Sequence, residues 1–89
     1  MKIDYSPKFI KSFKKLNKTD QDAFETQLNK FLNKPTPPFN SSLRIKKIQG
    51  TNRIFEMIIT MGIRMTWQFT DEEVLLRNIG EHDKTLNKA

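Results

Sequence analysis

A proline-rich segment divides the 89-residue sequence into two parts with different hydrophobic periods. Residues 34–42 read KPTPPFNSS, and the prolines of this segment cannot donate backbone hydrogen bonds to a helix or a sheet. Before the segment, apolar residues recur with the 3.6-residue period of a helix, and after it they alternate as in a strand. This change of period predicts an α+β domain in which the helices precede most of the strands.

The first part of the sequence predicts a hairpin of two helices. Ser6 and Pro7 are typical of a helix N-terminus. The apolar face of this helix consists of Phe9, Ile10, Phe13 and Leu16. A second helix is predicted to begin at Thr19 and to end before Pro35. Its apolar face consists of Phe24, Leu28 and Phe31. Because the connection between the two helices is short, we expect them to pack against each other in opposite directions.

The second part predicts consecutive strands joined by short turns. These strands cover residues 52–60 (NRIFEMIIT), 61–69 (MGIRMTWQF) and 74–80 (VLLRNIG). Residues 43–50 (LRIKKIQG) fit a strand or an extended lead-in, and residues 2–5 (KIDY) fit an opening strand. The predicted order is β-α-α-β-β-β, with the helical hairpin packed on an antiparallel sheet and residues 1–89 forming one domain. Trp67 alternates in phase with Met65, which places it in the core rather than on a base-stacking surface.

The charge of the sequence favours a negatively charged partner. Its formal net charge is +6 and its pI about 9.8. Positive residues concentrate in residues 2–18 and 43–53, and this pattern suggests a polyanion or an acidic protein as partner. The absence of cysteine excludes disulfides and zinc–thiolate sites, and no apolar run reaches the roughly 20 residues of a membrane helix. We expect a cytoplasmic protein, mature over its full length and without a metal or cofactor.

Short motifs follow one another in a characteristic order in the second part. They are contained in the stretches LRIKKIQGTNRIFEMII, GIRMTWQF and VLLRNIGEHD. In their order and spacing they resemble the RelE/ParE superfamily of bacterial toxins from type II toxin–antitoxin pairs. The resemblance extends over nearly the whole chain in element order. It implies an endoribonuclease that cuts mRNA, commonly in the decoding site of the ribosome, and that a cognate antitoxin inhibits.

Two other activities are compatible with the same resemblance. The ParE-like branch of the superfamily shares the fold but poisons DNA gyrase instead of cutting RNA. A degenerate member would retain only the binding of its antitoxin. Because one scaffold supports all of these outcomes, the fold alone does not decide between them.

The resemblance also implies which residues would cleave RNA. Metal-free cleavage uses the 2′-hydroxyl as nucleophile and needs a base, positive groups at the phosphate and an acid for the leaving 5′-oxygen. Arg64 matches the strand arginine of the family, and its parity opposite Trp67 predicts an exposed guanidinium that could contact the phosphate. His82 matches a family position that holds histidine or arginine. Its neighbours Glu81 and Asp83 are expected to favour the protonated imidazole, which suits a general acid.

Glu56 is a third candidate for the catalytic site. It lies in the otherwise apolar strand sequence IFEMII, and carboxylates are poor strand formers. This glutamate is therefore expected to be either exposed to solvent or functional. It could act as the base or orient Arg64, and it could instead pair with Arg77 or Arg53.

Basic side chains of the second part would bind the RNA backbone, in contacts that weaken with salt. These residues are Arg44, Lys46, Lys47, Arg53 and Arg77. The sequence also departs from the family pattern at three places. Ile58 stands where relatives often have a second basic residue, and Ile63 replaces a tyrosine. No aromatic residue follows His82. With fewer groups to stabilise the transition state, we expect nuclease activity that is feeble or absent.

Overall fold

The computed structural model describes residues 2–51 and 53–82. These residues form two helices, a short 3₁₀ turn at Ser41–Leu43 and a five-stranded sheet. The helices are α1 (Pro7–Lys14) and α2 (Lys18–Asn33). The strands are β1 (Lys2–Tyr5), β2 (Lys46–Lys47), β3 (Ile54–Ile58), β4 (Ile63–Thr70) and β5 (Glu73–Glu81). The α+β prediction is confirmed, with both helices packed on one sheet.

The sheet has the strand order β1-β5-β4-β3-β2. Strands β2 to β5 are antiparallel neighbours, as the predicted meander requires. The prediction of an entirely antiparallel sheet was wrong for β1, which runs parallel to β5 with Ile3 opposite Val74. Parallel neighbours need a long connection, and both helices and three strands separate β1 from β5. The first strand therefore closes the sheet beside the last one.

Side-chain caps fix where both helices begin. Ser6 Oγ accepts a hydrogen bond from the Phe9 backbone N–H at 3.0 Å and donates one to the Arg77 carbonyl oxygen at 2.7 Å. The predicted cap of α1 is therefore confirmed, and it also connects this helix to β5. The second helix begins at Lys18 rather than at Thr19. The reason is that Asn17 caps it, since Asn17 Oδ1 accepts a hydrogen bond from the backbone N–H of Asp20.

We expect Ser6→Ala to lower the free energy of unfolding by about 1 kcal/mol, since it removes the N-cap acceptor of α1. The measurement is urea denaturation followed by the fluorescence of Trp67, the single tryptophan of the sequence. Ser41→Ala is the matched control, because the Ser41 side chain is exposed and its substitution should change stability by less than about 0.5 kcal/mol. Equal effects of the two substitutions would contradict the proposed contribution of the cap.

One face of the sheet packs on the helices and forms the core. Trp67 is fully buried at its centre, with ring contacts to four phenylalanines at centroid distances between 4.7 and 5.9 Å. These are Phe31, Phe39, Phe55 and Phe69. The assignment of Trp67 to the core is thus confirmed, and it cannot stack on a base. Its burial leaves the opposite face of the sheet, hereafter the second face, to carry the polar residues of β3 and β4.

Candidate functional site

The pairing of β3 with β4 brings Glu56 and Arg64 together on the second face. Glu56 lies opposite Thr66 and Ile58 lies opposite Arg64, so Glu56 and Arg64 are diagonal neighbours on adjacent strands. Glu56 Oε1 lies 3.5 Å from Arg64 Nε. The alternation of the strand sequences predicted that both residues lie on the face opposite Trp67, and the structure agrees.

Two further basic side chains reach the same carboxylate. Lys46 on β2 lies opposite Glu56 in the sheet, and its Nζ is 3.9 Å from Glu56 Oε1. His82, directly after β5, places Nδ1 at 4.0 Å from the same oxygen. We call these four residues (Lys46, Glu56, Arg64 and His82) the Glu56 cluster. Arg64 and His82, two of the catalytic candidates, are eighteen positions apart along the chain. In the structure both lie beside the third candidate, Glu56.

Glu56 is a buried carboxylate, with its side chain only 3% exposed. It is not exposed to solvent, and its ion-pair partners are neither Arg53 nor Arg77. Its second oxygen, Oε2, is buried and has no hydrogen-bond partner within residues 2–51 and 53–82. A carboxylate enclosed by three basic groups fits the orienting role better than that of a base, because a substrate hydroxyl would have to enter the sheet surface to reach it.

Arg64 was predicted to be exposed because it alternates with Trp67 along the strand and so lies on the opposite face. It is less exposed than predicted, since its side chain retains only 17% of its accessible surface. The reason lies in the turn between β3 and β4. Arg64 Nη1 donates hydrogen bonds to the carbonyl oxygens of Thr60 at 2.7 Å and Met61 at 2.9 Å. The guanidinium therefore folds back over its own hairpin, with Nε directed at Glu56. These contacts hold the guanidinium in one orientation.

His82 and Lys46 are the more accessible members of the Glu56 cluster, with side chains 39% and 66% exposed. The backbone N–H of His82 donates to the Gly62 carbonyl oxygen at 3.1 Å, which fixes the end of β5 against the hairpin turn. Glu81 lies opposite Ile63 in the register and therefore on the helix-packed face. The carboxylate near the imidazole is Glu56 rather than Glu81, and Asp83 lies outside the described residues.

The structure brings only one of the predicted backbone-binding residues into the Glu56 cluster. Lys46 belongs to it, whereas Lys47 lies opposite Phe55 and so on the other face of the sheet. Arg44 and Arg53 are exposed, before β2 and before β3 respectively. Lys46 is therefore the one basic residue of the described part of 43–53 that belongs to the Glu56 cluster.

Arg77 lies on the second face at a distance from the Glu56 cluster. It is the extra residue where the register between β4 and β5 shifts, and its Nη1 donates to the side-chain oxygen of Gln68. Gln68 is four residues along β4 from Arg64, which corresponds to about 13 Å of strand. Arg77 could therefore contact a neighbouring phosphate but not the one bound at Arg64. Sequence reasoning missed Gln68 as its partner.

The chemistry available at the Glu56 cluster is that of fixed positive charge and proton transfer. A guanidinium, an ammonium group and an imidazole surround one carboxylate. Within the described part of the chain, no group of three or more His, Cys, Asp and Glu side chains could hold a metal ion. Neither α1 nor α2, the helices of that same part, is long and apolar enough to cross a membrane.

Comparison with solved structures identifies the fold. A chain of the E. coli DinJ–YafQ toxin–antitoxin complex matches with a TM-score of 0.76 and 19% identity, over 92% of each chain. A double mutant of the E. coli toxin RelE in the free state matches at 0.73 and 19% identity, over 99% of this chain and 92% of that one.

An archaeal structure gives the same result. The RelB–RelE antitoxin–toxin complex from Methanococcus jannaschii matches with a TM-score of 0.74 and 15% identity, over 91% of this chain and 92% of that one. No protein family model and no curated protein matches the sequence. The chain therefore has the fold of the RelE and YafQ structures.

Proposed function

We propose that this protein is the toxin of a type II toxin–antitoxin pair and cleaves mRNA without a metal ion. The observation that carries the proposal is the convergence of Arg64, His82 and Lys46 on one buried carboxylate, at distances of 3.5 to 4.0 Å. Fixed positive charge near a proton-transferring imidazole is what cleavage of a phosphodiester requires. The RelE-like fold supports the same activity by analogy.

In the proposed reaction, the 2′-oxygen of a ribose attacks the adjacent phosphorus and the 5′-oxygen leaves. The products are a 2′,3′-cyclic phosphate and a 5′-hydroxyl end. Arg64 and Lys46 stabilise the negative charge that develops on the phosphate oxygens, and His82 protonates the leaving 5′-oxygen. The proton of the 2′-hydroxyl passes to water, because Glu56 is buried and serves to orient the basic groups. Without a dedicated base, cleavage should be slow.

The partners in this proposal are mRNA, bound on the ribosome, and an antitoxin protein in the same cytoplasm. A surface groove of about 610 Å³ suits an acidic segment of such an antitoxin, since lysines of α1 and of its C-terminal cap line it beside apolar residues. The lysines are Lys8, Lys11 and Lys15, and the apolar residues are Leu16, Ile63 and Ile79. Asp20 and Glu81 also line the groove, so an antitoxin segment must avoid these two carboxylates.

Induction of the protein in cells, followed by mapping of RNA ends, tests the proposed function. The wild type should stop translation and produce new 5′-hydroxyl ends, whereas the Arg64→Ala/His82→Ala variant should not. Purified wild type should also cleave a short free RNA in the presence of EDTA and leave 5′-hydroxyl ends. Identical RNA ends in the two strains would refute the nuclease, and arrest of replication with a DNA-damage response would indicate a gyrase inhibitor instead.

A salt titration distinguishes the two lysines of β2. We expect Lys46→Gln to reduce the slope of log K against log salt for single-stranded RNA by about 0.7, the value for one lost phosphate contact. Lys47→Gln removes the same charge from the other face of the sheet and should leave the slope nearly unchanged. Equal slopes for the two variants would mean that the RNA does not follow the second face.

A further inference from the structure

The turn between β3 and β4 exposes a large apolar side chain beside the Glu56 cluster. Met61 is 77% exposed, whereas the other exposed large hydrophobic side chains of the described residues lie between 38% and 43%. A single exposed apolar residue is common on protein surfaces. The exposure of Met61 alone therefore indicates no function. Its position beside the Glu56 cluster and its fixed backbone are the features that suggest one.

Hydrogen bonds hold this turn to Arg64 and His82, two of the three residues of the proposed cleavage chemistry. Arg64 Nη1 binds the carbonyl oxygens of Thr60 and Met61, and the His82 backbone N–H binds the carbonyl oxygen of Gly62. Thr60 Oγ1 also accepts from the Gly62 backbone N–H at 3.3 Å. The backbone of Met61 is thus fixed relative to the guanidinium, and its side chain leaves the turn toward solvent. Little conformational freedom of the backbone remains to be lost when a ligand binds.

We propose that Met61 is a nucleobase-binding residue, whose side chain packs on the face of a base next to the phosphodiester held at the Glu56 cluster. The proposal rests on the proposed function and adds a specificity-determining contact to it. The cluster offers three basic groups for a phosphate, and its one aromatic ring, the imidazole of His82, is assigned to the leaving oxygen rather than to a base. A polarizable thioether packs well on π systems, and the face of any base is such a system.

The geometry makes Met61 suitable for a clean substitution. Arg64 binds the main-chain oxygen of residue 61, so Met61→Ala removes the side chain while the hydrogen bond to Arg64 remains. Ile10→Ala is the matched control, because Ile10 is 43% exposed on α1 and no described contact joins it to the turn. Both substitutions remove an exposed apolar side chain and leave the charge of the protein unchanged.

The test measures binding of a short 2′-O-methyl RNA, which cannot be cleaved because its 2′-oxygen is blocked. By fluorescence anisotropy at low salt, Met61→Ala should weaken binding about fivefold, the magnitude of one sulfur–π contact. Met61→Leu, which keeps the apolar volume but lacks the sulfur, should lose part of this affinity, and Ile10→Ala should equal the wild type. Unchanged binding in Met61→Ala, equal losses in Met61→Ala and Ile10→Ala, or no binding by the wild type would overturn the proposal.

A set of oligonucleotides that each lack one base identifies the contact. If Met61 packs on a base, removal of one particular base should weaken wild-type binding by the same factor and should abolish the difference between wild type and Met61→Ala. A difference that persists with every oligonucleotide of the set would refute base packing. Cleavage of unmodified RNA is scored separately, so a protein that binds in this way but does not cut would refute the nuclease and leave the base contact standing.

Discussion

His82→Ala is expected to cleave RNA at least about 100-fold more slowly than the wild type, because the loss of a general acid has effects of this size. The imidazole is the accessible proton-transferring group of the Glu56 cluster, with its side chain 39% exposed. The substitution should not disturb the fold, since His82 is tied to the hairpin turn through its backbone N–H, which alanine retains. The loss should appear in the turnover rate, with little change in the KM for RNA.

A modified substrate shows whether His82 acts on the leaving group. The measurement is single-turnover cleavage of a short RNA, compared with the same RNA carrying sulfur in place of the leaving 5′-oxygen. A thiolate leaves without protonation, so His82→Ala should cleave the sulfur substrate at nearly the wild-type rate. If the variant is equally impaired on both substrates, the imidazole does not protonate the leaving oxygen. Full activity of His82→Ala on ordinary RNA would exclude the residue from the reaction altogether.

The fold was predictable from the sequence because local patterns determine most of its elements. Ser6, Pro7 and the spacing of the phenylalanines define α1 and α2, and the alternation around Trp67 defines β4 and its buried face. The parallel pairing of β1 with β5 was not predictable from these patterns. It depends on where the chain enters the sheet after the helices have packed, and a four-residue strand contains no signal for the direction of its neighbour.

The sequence predicted which face of the sheet carries Glu56 and Arg64, but it did not predict which side chains contact each other there. Alternation placed Glu56 and Arg64 on one side of the sheet, away from Trp67. The meeting of Lys46 with Glu56 depends on the register between β2 and β3, which alternation within one strand does not determine. The burial of Glu56 depends on the approach of three chain segments at once. The reduced exposure of Arg64 arises from carbonyl oxygens of a turn, which no side-chain pattern encodes.

Glu56→Gln is expected to lower the free energy of unfolding by about 2 kcal/mol, because it leaves the partly buried guanidinium of Arg64 without a negative partner. Complete burial of an ion pair would give a larger value, but Arg64 keeps its hydrogen bonds to the turn, and Lys46 remains 66% exposed. The measurement is urea denaturation followed by Trp67 fluorescence. Glu72→Gln is the matched control, since it makes the same chemical change at an exposed turn and should cost less than about 0.5 kcal/mol.

The same variant separates an orienting role of Glu56 from that of a base. Removal of a negative charge from the second face should tighten RNA binding by about threefold, because the charges of Lys46 and Arg64 are then less compensated. Cleavage should nevertheless slow by about 10-fold or more, since Arg64 and His82 lose the carboxylate that orients them. A general base would instead be indicated by a slower reaction with unchanged stability and unchanged binding. Opposite changes in affinity and rate, together with lower stability, are what a buried carboxylate that holds three basic groups in place requires.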